Sequence, residues 1–267
     1  MKESFIEHTI GIKDYITGNR FIDICEKSAA TFCKTDYITE FKDKDEEVFI
    51  THNSDYHIDK NVYPFGPRCD LWLAQNKDID AENIQSIPIG LENMQLRMGA
   101  AARFGTYSSE VKGALQKATL IDKYASYGIQ KNTLVYMNFN IKTYPRERST
   151  VWDLLSPHDW VTCTEDLSLQ QFYFDLASSK FVISPRGNGV DCHRTWEALY
   201  LKTVPIVKRS LHMNDFCDLP IYFIDDWSEL SYNKLNKYYE KVEGSLFDLD
   251  MMKISWWEQY INEKLSV

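Results

Sequence analysis

Ser184-Pro185-Arg186-Gly187-Asn188-Gly189-Val190-Asp191-Cys192-His193-Arg194-Thr195-Trp196-Glu197-Ala198-Leu199 lies between two apolar runs, Lys180-Phe181-Val182-Ile183 before it and Val204-Pro205-Ile206-Val207 after it. Short apolar runs bounded by turn residues read as buried strands, and the stretch between them reads as a glycine-rich turn opening a helix. Strand, turn, helix and strand form the repeating unit of a parallel α/β sheet. Outward from this stretch, Thr133-Leu134-Val135-Tyr136-Met137, Trp160-Val161-Thr162-Cys163 and Ile221-Tyr222-Phe223-Ile224 add strands, with a helix near residues 168–178. In the first half, Val48-Phe49-Ile50-Thr51, Leu71-Trp72-Leu73-Ala74 and the run from Ile84 to Ile89 repeat the pattern. The acidic run 43–47 reads as a solvated loop, the chain before Phe32 as mixed helix, and the chain after Trp227 as helix.

Val111-Lys112-Gly113-Ala114-Leu115-Gln116-Lys117-Ala118 is rich in helix formers and separates the two strand-bearing halves. The organisation predicted is an N-terminal α/β lobe over 1–95, a helical linker over 96–130, a second α/β lobe over 131–245, and a C-terminal helix over 246–267 packing across both. Polar bursts follow the strands at 52–55, 90–93, 138–148 and 185–194. Open parallel sheets bind ligands beyond the carboxyl ends of their strands, so these bursts are expected to converge on an interlobe cleft.

The chain has 267 residues, 44% hydrophobic and 26% charged, so it can bury a sizeable core and is neither disordered nor a coiled coil. Its net charge of −9, with no basic stripe, disfavours a nucleic-acid partner. No run approaches the roughly 18 apolar residues of a membrane span, and the N-terminus lacks a signal-peptide core, so no membrane span and a cytoplasmic, soluble protein are expected. The six cysteines form no CxxC pair and no zinc spacing, which reads as reduced thiols with no metal site, an oxidised Cys25–Cys33 pair staying open as the alternative.

The turn and helix carry the candidate chemistry. Glycines permit positive φ and close backbone approach, a helix N-terminus offers unpaired N–H donors, and Arg186 and Arg194 add full charges suited to a phosphate. At 100° per residue, Cys192, Trp196 and Leu199 share one side of the helix, and His193, Arg194 and Glu197 the other. A carboxylate one turn into the helix suits a ribose diol, although Arg194 and Glu197 at i, i+3 equally suit an intrahelical salt bridge. The combination within residues 186–197 favours a nucleotide-diphosphate site. Neither GxxxxGK[ST] nor the third glycine of a dinucleotide fingerprint is present. The donor-binding set is Ser184, Arg186, Gly187, Asn188, Gly189, Asp191, His193, Arg194 and Glu197, joined by Arg146 and Arg148 from the preceding burst.

This stretch resembles the donor-binding motif of exostosin-like glycosyltransferases: an apolar strand, S-P-x-G, a short gap, H/R-R-x-W/F-E-A-L and an apolar strand with Pro. Here these parts are Phe181 to Gly187, His193 to Leu199, and Val204 to Val207, with Lys202-Thr203 where the family customarily has Gly-Cys. Asn138-Phe139-Asn140 with Arg146 and Arg148 is similar to the start of that family's donor lobe, and Phe49 to Asp55 to its acceptor-lobe loop. Compact bacterial and algal-virus members are the nearest in size, and some of those transfer xylose. The resemblance implies a GT-B fold, two Rossmann-like α/β lobes with parallel sheets, and inverting transfer from a nucleotide-diphosphate sugar, UDP-linked, to a glycan acceptor. It requires no metal or other cofactor.

The base expected on the acceptor side is Asp55, with His52 as the alternative, and Asn53 and Ser54 as acceptor contacts; His52 and Asp55 could equally cap a helix or pair with each other. Three other readings stay open. One is a non-catalytic nucleotide-sugar-binding module. Another is a metal-dependent GT-A transferase using Asp78-Ile79-Asp80 or Asp248-Leu249-Asp250. The last is a sulfotransferase or nucleotide hydrolase with the same anion-binding turn.

Overall fold

The structure, a computed structural model, describes residues 2–96 and 108–266. The chain forms two α/β lobes of Rossmann-like type, each on an all-parallel sheet, in the two-lobe arrangement of a GT-B fold.

The N-terminal lobe begins with β1 (Lys2–Ser4) and α1 (Gly18–Lys27). Thr17 starts α1 because its side-chain oxygen accepts from the Arg20 N–H, satisfying one of the free donors of the first turn. The sheet follows as β2 (Thr31–Lys34), β3 (Asp45–His52), β4 (Arg68–Ala74) and β5 (Ile84–Ser86), parallel and in sequential order. Val48, Ile50 and Leu73 join the main core, whereas Phe49, Trp72 and Ala74 build a second cluster with Cys33, Ile58 and Phe41 on the opposite face. Both faces are covered, so β3 reads as a continuous apolar run.

Residues 97–107, part of the expected linker, lie outside the described residues. Beyond them α2 (Ser108–Ser126) runs into the second sheet: β6 (Thr133–Met137), α3 (Pro145–Leu155), β7 (Val161–Cys163), α4 (Leu169–Ala177), β8 (Ser179–Ile183), α5 (His193–Tyr200), β9 (Val204–Lys208) and β10 (Tyr222–Ile224). The α2 helix packs on α4 and α5. The strand order is β10-β9-β8-β6-β7. After β7 the chain crosses to the far side of β6, so the connections leaving β6 and β8 diverge and open a crevice at their carboxyl ends.

The chain then forms α6 (Tyr232–Glu243), β11 (Leu246–Asp248) and α7 (Ile254–Lys264). The strand β11 pairs antiparallel with β1, and α7 packs on α1 and β3, so the C-terminal segment closes the N-terminal lobe. Trp257 is fully buried against Phe21 of α1, with ring centroids 6.1 Å apart.

Besides β1 and α3, which the apolar pattern does not mark, three elements differ from the sequence reading. The strand β2 buries only Phe32 and Cys33, a pattern too short to separate from helix. The acidic run is not wholly loop: β3 begins at Asp45, its first residues solvated beyond the core. Chain after Trp227 is not continuous helix, because α6 ends at Gly244 and β11 intervenes before α7.

Candidate functional site

The site is built where β6 and β8 diverge. Asn138, Phe139 and Asn140 leave β6, and the Asn140 side chain accepts from the Lys142 N–H to turn the chain toward α3. Pro145 occupies the first turn of α3, where its missing N–H costs nothing. This places Arg148, 5% exposed, with its guanidinium 5.6 Å from the Phe139 ring centroid. From the other connection Arg194, in the first turn of α5, comes within 5.8 Å of the same ring.

Arg148 Nε donates to the Arg186 carbonyl at 2.9 Å and Nη1 to the Asn140 carbonyl at 2.8 Å, lacing the two connections together. Burial, together with the Arg194 charge, pulls Arg148 down to about 10. Arg194 Nε is buried and finds no hydrogen-bond partner among the described residues. Among the described residues no carboxylate ion-pairs with either guanidinium. The Glu197 carboxylate instead accepts from the Tyr173 hydroxyl at 2.8 Å, so the i, i+3 salt bridge does not form. Cys192, the N-cap of α5, makes no side-chain cap hydrogen bond. Two cations and the positive end of a helix therefore share an apolar ring without a counter-charge, an arrangement that an anion would complete.

The rest of the expected donor set divides. Arg186 lies 4.6 Å over the Tyr144 ring and donates from Nη2 to the Asn188 carbonyl and to His57 Nε2; with Ser184, Thr195, Lys208 and Arg209 it lines a pocket of about 240 Å³. Arg146 is exposed on the first turn of α3. Ser184 is 3% exposed, its hydroxyl engaged by Thr195 Oγ1 at 3.0 Å and Cys192 Sγ at 3.2 Å. Asp191 is a structural lock. Buried, it accepts from Trp196 Nε1, the Cys192 N–H and, across the lobes, the Ile89 N–H at 2.8 Å.

The glycines act differently from expectation. Among the described residues the positive-φ glycines are Gly90 and Gly128, so Gly187 and Gly189 do not make a left-handed turn. Gly189 is needed for close approach all the same, since a Cβ there would sit 2.6 Å from the Asn76 amide. Asn76 is itself fixed, accepting from the Asp191 N–H and donating to the Ser54 carbonyl. The close neighbour of this glycine is the other lobe rather than a phosphate.

Facing this region, a cavity of about 950 Å³ opens beyond β3 and β4, lined by Asn53, Ser54, Asp55, Gln75 and Asn93, and by His193 from the other lobe. His52 also borders it but cannot serve as a base: it is 2% exposed, Nε2 donates to the Pro88 carbonyl at 3.0 Å, and Nδ1 accepts from the Asn53 N–H at 2.7 Å. Burial lowers its pKa to about 4. Asp55 is exposed and accepts from Asn188 Nδ2 at 3.2 Å across the cleft. Asn53 donates to Asn19 and accepts from Asn93, and the Ser54 hydroxyl accepts from the Tyr56 N–H. Gln75, 2% exposed, donates to the Ser54 carbonyl while its Oε1 has no partner among the described residues.

His193 was expected at the donor and instead borders this cavity, with Nδ1 donating to the Gly90 carbonyl at 2.8 Å. Its position immediately before Arg194 was the signal available in the sequence: adjacent helical residues point about 100° apart, so they address different neighbours.

Neither D-x-D triplet gathers a third ligand. Asp78 lies 3.6 Å from His57 Nδ1, and Asp250 pairs with Lys253 at 2.9 Å. Among the described residues, no group of three or more His, Cys, Asp or Glu side chains is arranged to hold a metal ion, and no helix is long and apolar enough to cross a membrane.

No family model matches the sequence, and no curated protein does. Among solved structures, the chain is similar to an alpha1,3-fucosyltransferase crystallised with GDP-fucose, at 10% identity over 76% of this chain and 80% of that one, with a TM-score of 0.29. A likeness this slight carries no argument about chemistry, and the functional reading stands on the site itself.

Proposed function

We propose that the protein is a glycosyltransferase that takes its sugar from a nucleotide-diphosphate donor. The observation that carries this reading is the pair Arg148 and Arg194 on the Phe139 ring, without a carboxylate partner and with a buried Nε left unbonded. Two uncompensated guanidiniums at a topological switch point are costly to the apo fold, and a diphosphate neutralises both. In sugar transfer the diphosphate gains charge as the anomeric C–O bond breaks, so donors placed there act most strongly on the transition state. Arg148, Arg194 and the uncapped start of α5 would supply the stabilisation a divalent cation gives in metal-dependent transferases.

The finer reading follows the exostosin resemblance: a UDP-linked donor, xylose among its candidate sugars, and inversion by single displacement onto a glycan hydroxyl delivered from the 950 Å³ cavity. The test is thermal shift and calorimetry against UDP-, GDP- and CMP-sugars. A diphosphate sugar is expected to stabilise the protein and a CMP-sugar, with one phosphate, to do so less. Stabilisation by none of them overturns the proposal.

A further inference from the structure

We propose that His193, not Asp55, is the general base that activates the acceptor hydroxyl. This assignment rests on the transferase reading and goes beyond it in naming the proton acceptor.

The placement of the ring comes from both lobes. His193 starts α5 in the C-terminal lobe, and the carbonyl that receives its Nδ1–H belongs to Gly90 in the N-terminal lobe. A carbonyl oxygen can only accept, so the proton of the neutral ring sits on Nδ1 and the Nε2 lone pair is left available. The direction of that carbonyl is itself fixed. Gly90 has φ +64°, and a Cβ there would meet the Ile16 carbonyl oxygen at 2.3 Å.

The ring borders the large cavity, whose wall is rich in hydroxyl-recognising groups: the Asn53 and Asn93 amides and the buried Gln75 Oε1, which lacks a donor. A sugar hydroxyl is a donor of the kind that this oxygen lacks. The next residue in the chain, Arg194, belongs to the cationic pair. Consecutive residues at one helix start thus serve the two sides of the transfer, His193 on the cavity and Arg194 in the pair that would hold the leaving diphosphate.

In the step proposed, the acceptor oxygen bonds to the anomeric carbon while its proton passes to His193 Nε2. The anomeric C–O bond to the diphosphate breaks, and its electron pair leaves on the phosphate oxygen toward Arg194 and Arg148. Asp55 is less suited to this role, because it is exposed and its carboxylate is held by Asn188 from across the cleft.

Two measurements test the assignment. Long-range 15N NMR of the histidine rings at neutral pH, with the His193 signals identified by their loss in His193→Gln, is expected to show the Nδ1–H tautomer with an unprotonated Nε2. An Nε2–H tautomer overturns the base role whatever the reaction is. In turnover assays His193→Gln is expected to lower kcat by ~10²–10⁴-fold while donor Kd changes less than about twofold, and Asp55→Asn to stay within about tenfold of wild type. His193→Ala, with activity restored by added imidazole, guards against a misfolded Gln variant. If His193→Gln keeps its turnover, the base assignment falls and the transferase reading stands. If the wild type neither binds nor consumes a nucleotide-diphosphate sugar, both fall.

Discussion

His212 Nε2 lies 3.3 Å from the Asp191 carboxylate, and solvent reaches neither side chain. His212 Nδ1 accepts from the Lys77 N–H, and the Lys77 ammonium reaches Asp215 at 2.6 Å, so a buried polar chain runs from one sheet to the other. The lobes meet through this network as well as through apolar packing.

Asp191→Ala leaves the Trp196 Nε1, Ile89 N and Cys192 N donors unpaired inside the fold. Breaking one member of such a network costs on the order of 3–5 kcal/mol. Urea melts are expected to show that loss, with a smaller one in Asp191→Asn, which keeps an acceptor oxygen. Undiminished stability with weakened donor binding would make Asp191 a ligand contact instead.

Arg194→Ala removes one of two facing guanidiniums. Donor affinity measured by calorimetry is expected to fall by about 1.5–3 kcal/mol, the worth of a charge-assisted contact. Thermal stability without ligand is expected to hold or rise, because Arg148 loses a like-charged neighbour. A donor Kd equal to wild type removes Arg194 from the site.

Gly90→Ala places a methyl against the Ile16 carbonyl at a positive φ, and no side chain yields to make room. Strain and overpacking together are expected to cost about 2–4 kcal/mol. The same change moves the carbonyl that orients His193, so kcat is expected to fall further than the remaining folded fraction explains; activity tracking folded fraction alone would show that this orientation is dispensable.

Acid is expected to weaken the fold through His8 and His52, both buried and lowered to about 4. His8 Nε2 donates to the Leu199 carbonyl, which joins the N-terminal segment to the end of α5. The unfolded chain takes up a proton near pH 6.5 and the folded rings only near 4, so stability is complete above pH 6.5 and declines as pH falls from 6.5 to 4. Each ring accounts for roughly 3 kcal/mol at the bottom of that window. Denaturant melts across it check the slope, which His8→Gln is expected to shallow; a flat profile removes both groups from the account.

The alternation of short apolar runs with polar tips made both sheets legible apart from β2, and the run read as β6, Thr133–Met137, is the strand itself. The helix α3 was hidden because its buried face starts with Arg148, followed by Val151 and Leu155, and an arginine in that position does not register as apolar periodicity. The arginines of the donor set were legible as charges near glycines, but the common ring under Arg148 and Arg194 depends on Phe139, a residue that any core would take. The hydrogen bonding of the two histidines was hidden for a similar reason. His52 ends a strand and His193 starts a helix; long-range packing sets the Pro88 and Gly90 carbonyls that receive one ring proton each, and the Asn53 N–H occupies the second nitrogen of His52.

The pairing of β1 with β11 and the seating of α7 on α1 and β3 bear on how the chain is made. A ribosome delivers residues 254–264 only after both sheets have emerged, so the first lobe waits for the last helix to cover Phe21 and its neighbours. Vectorial synthesis therefore cannot complete the lobes one at a time, and until residues 254–264 have emerged the N-terminal half carries an uncovered apolar face around Phe21.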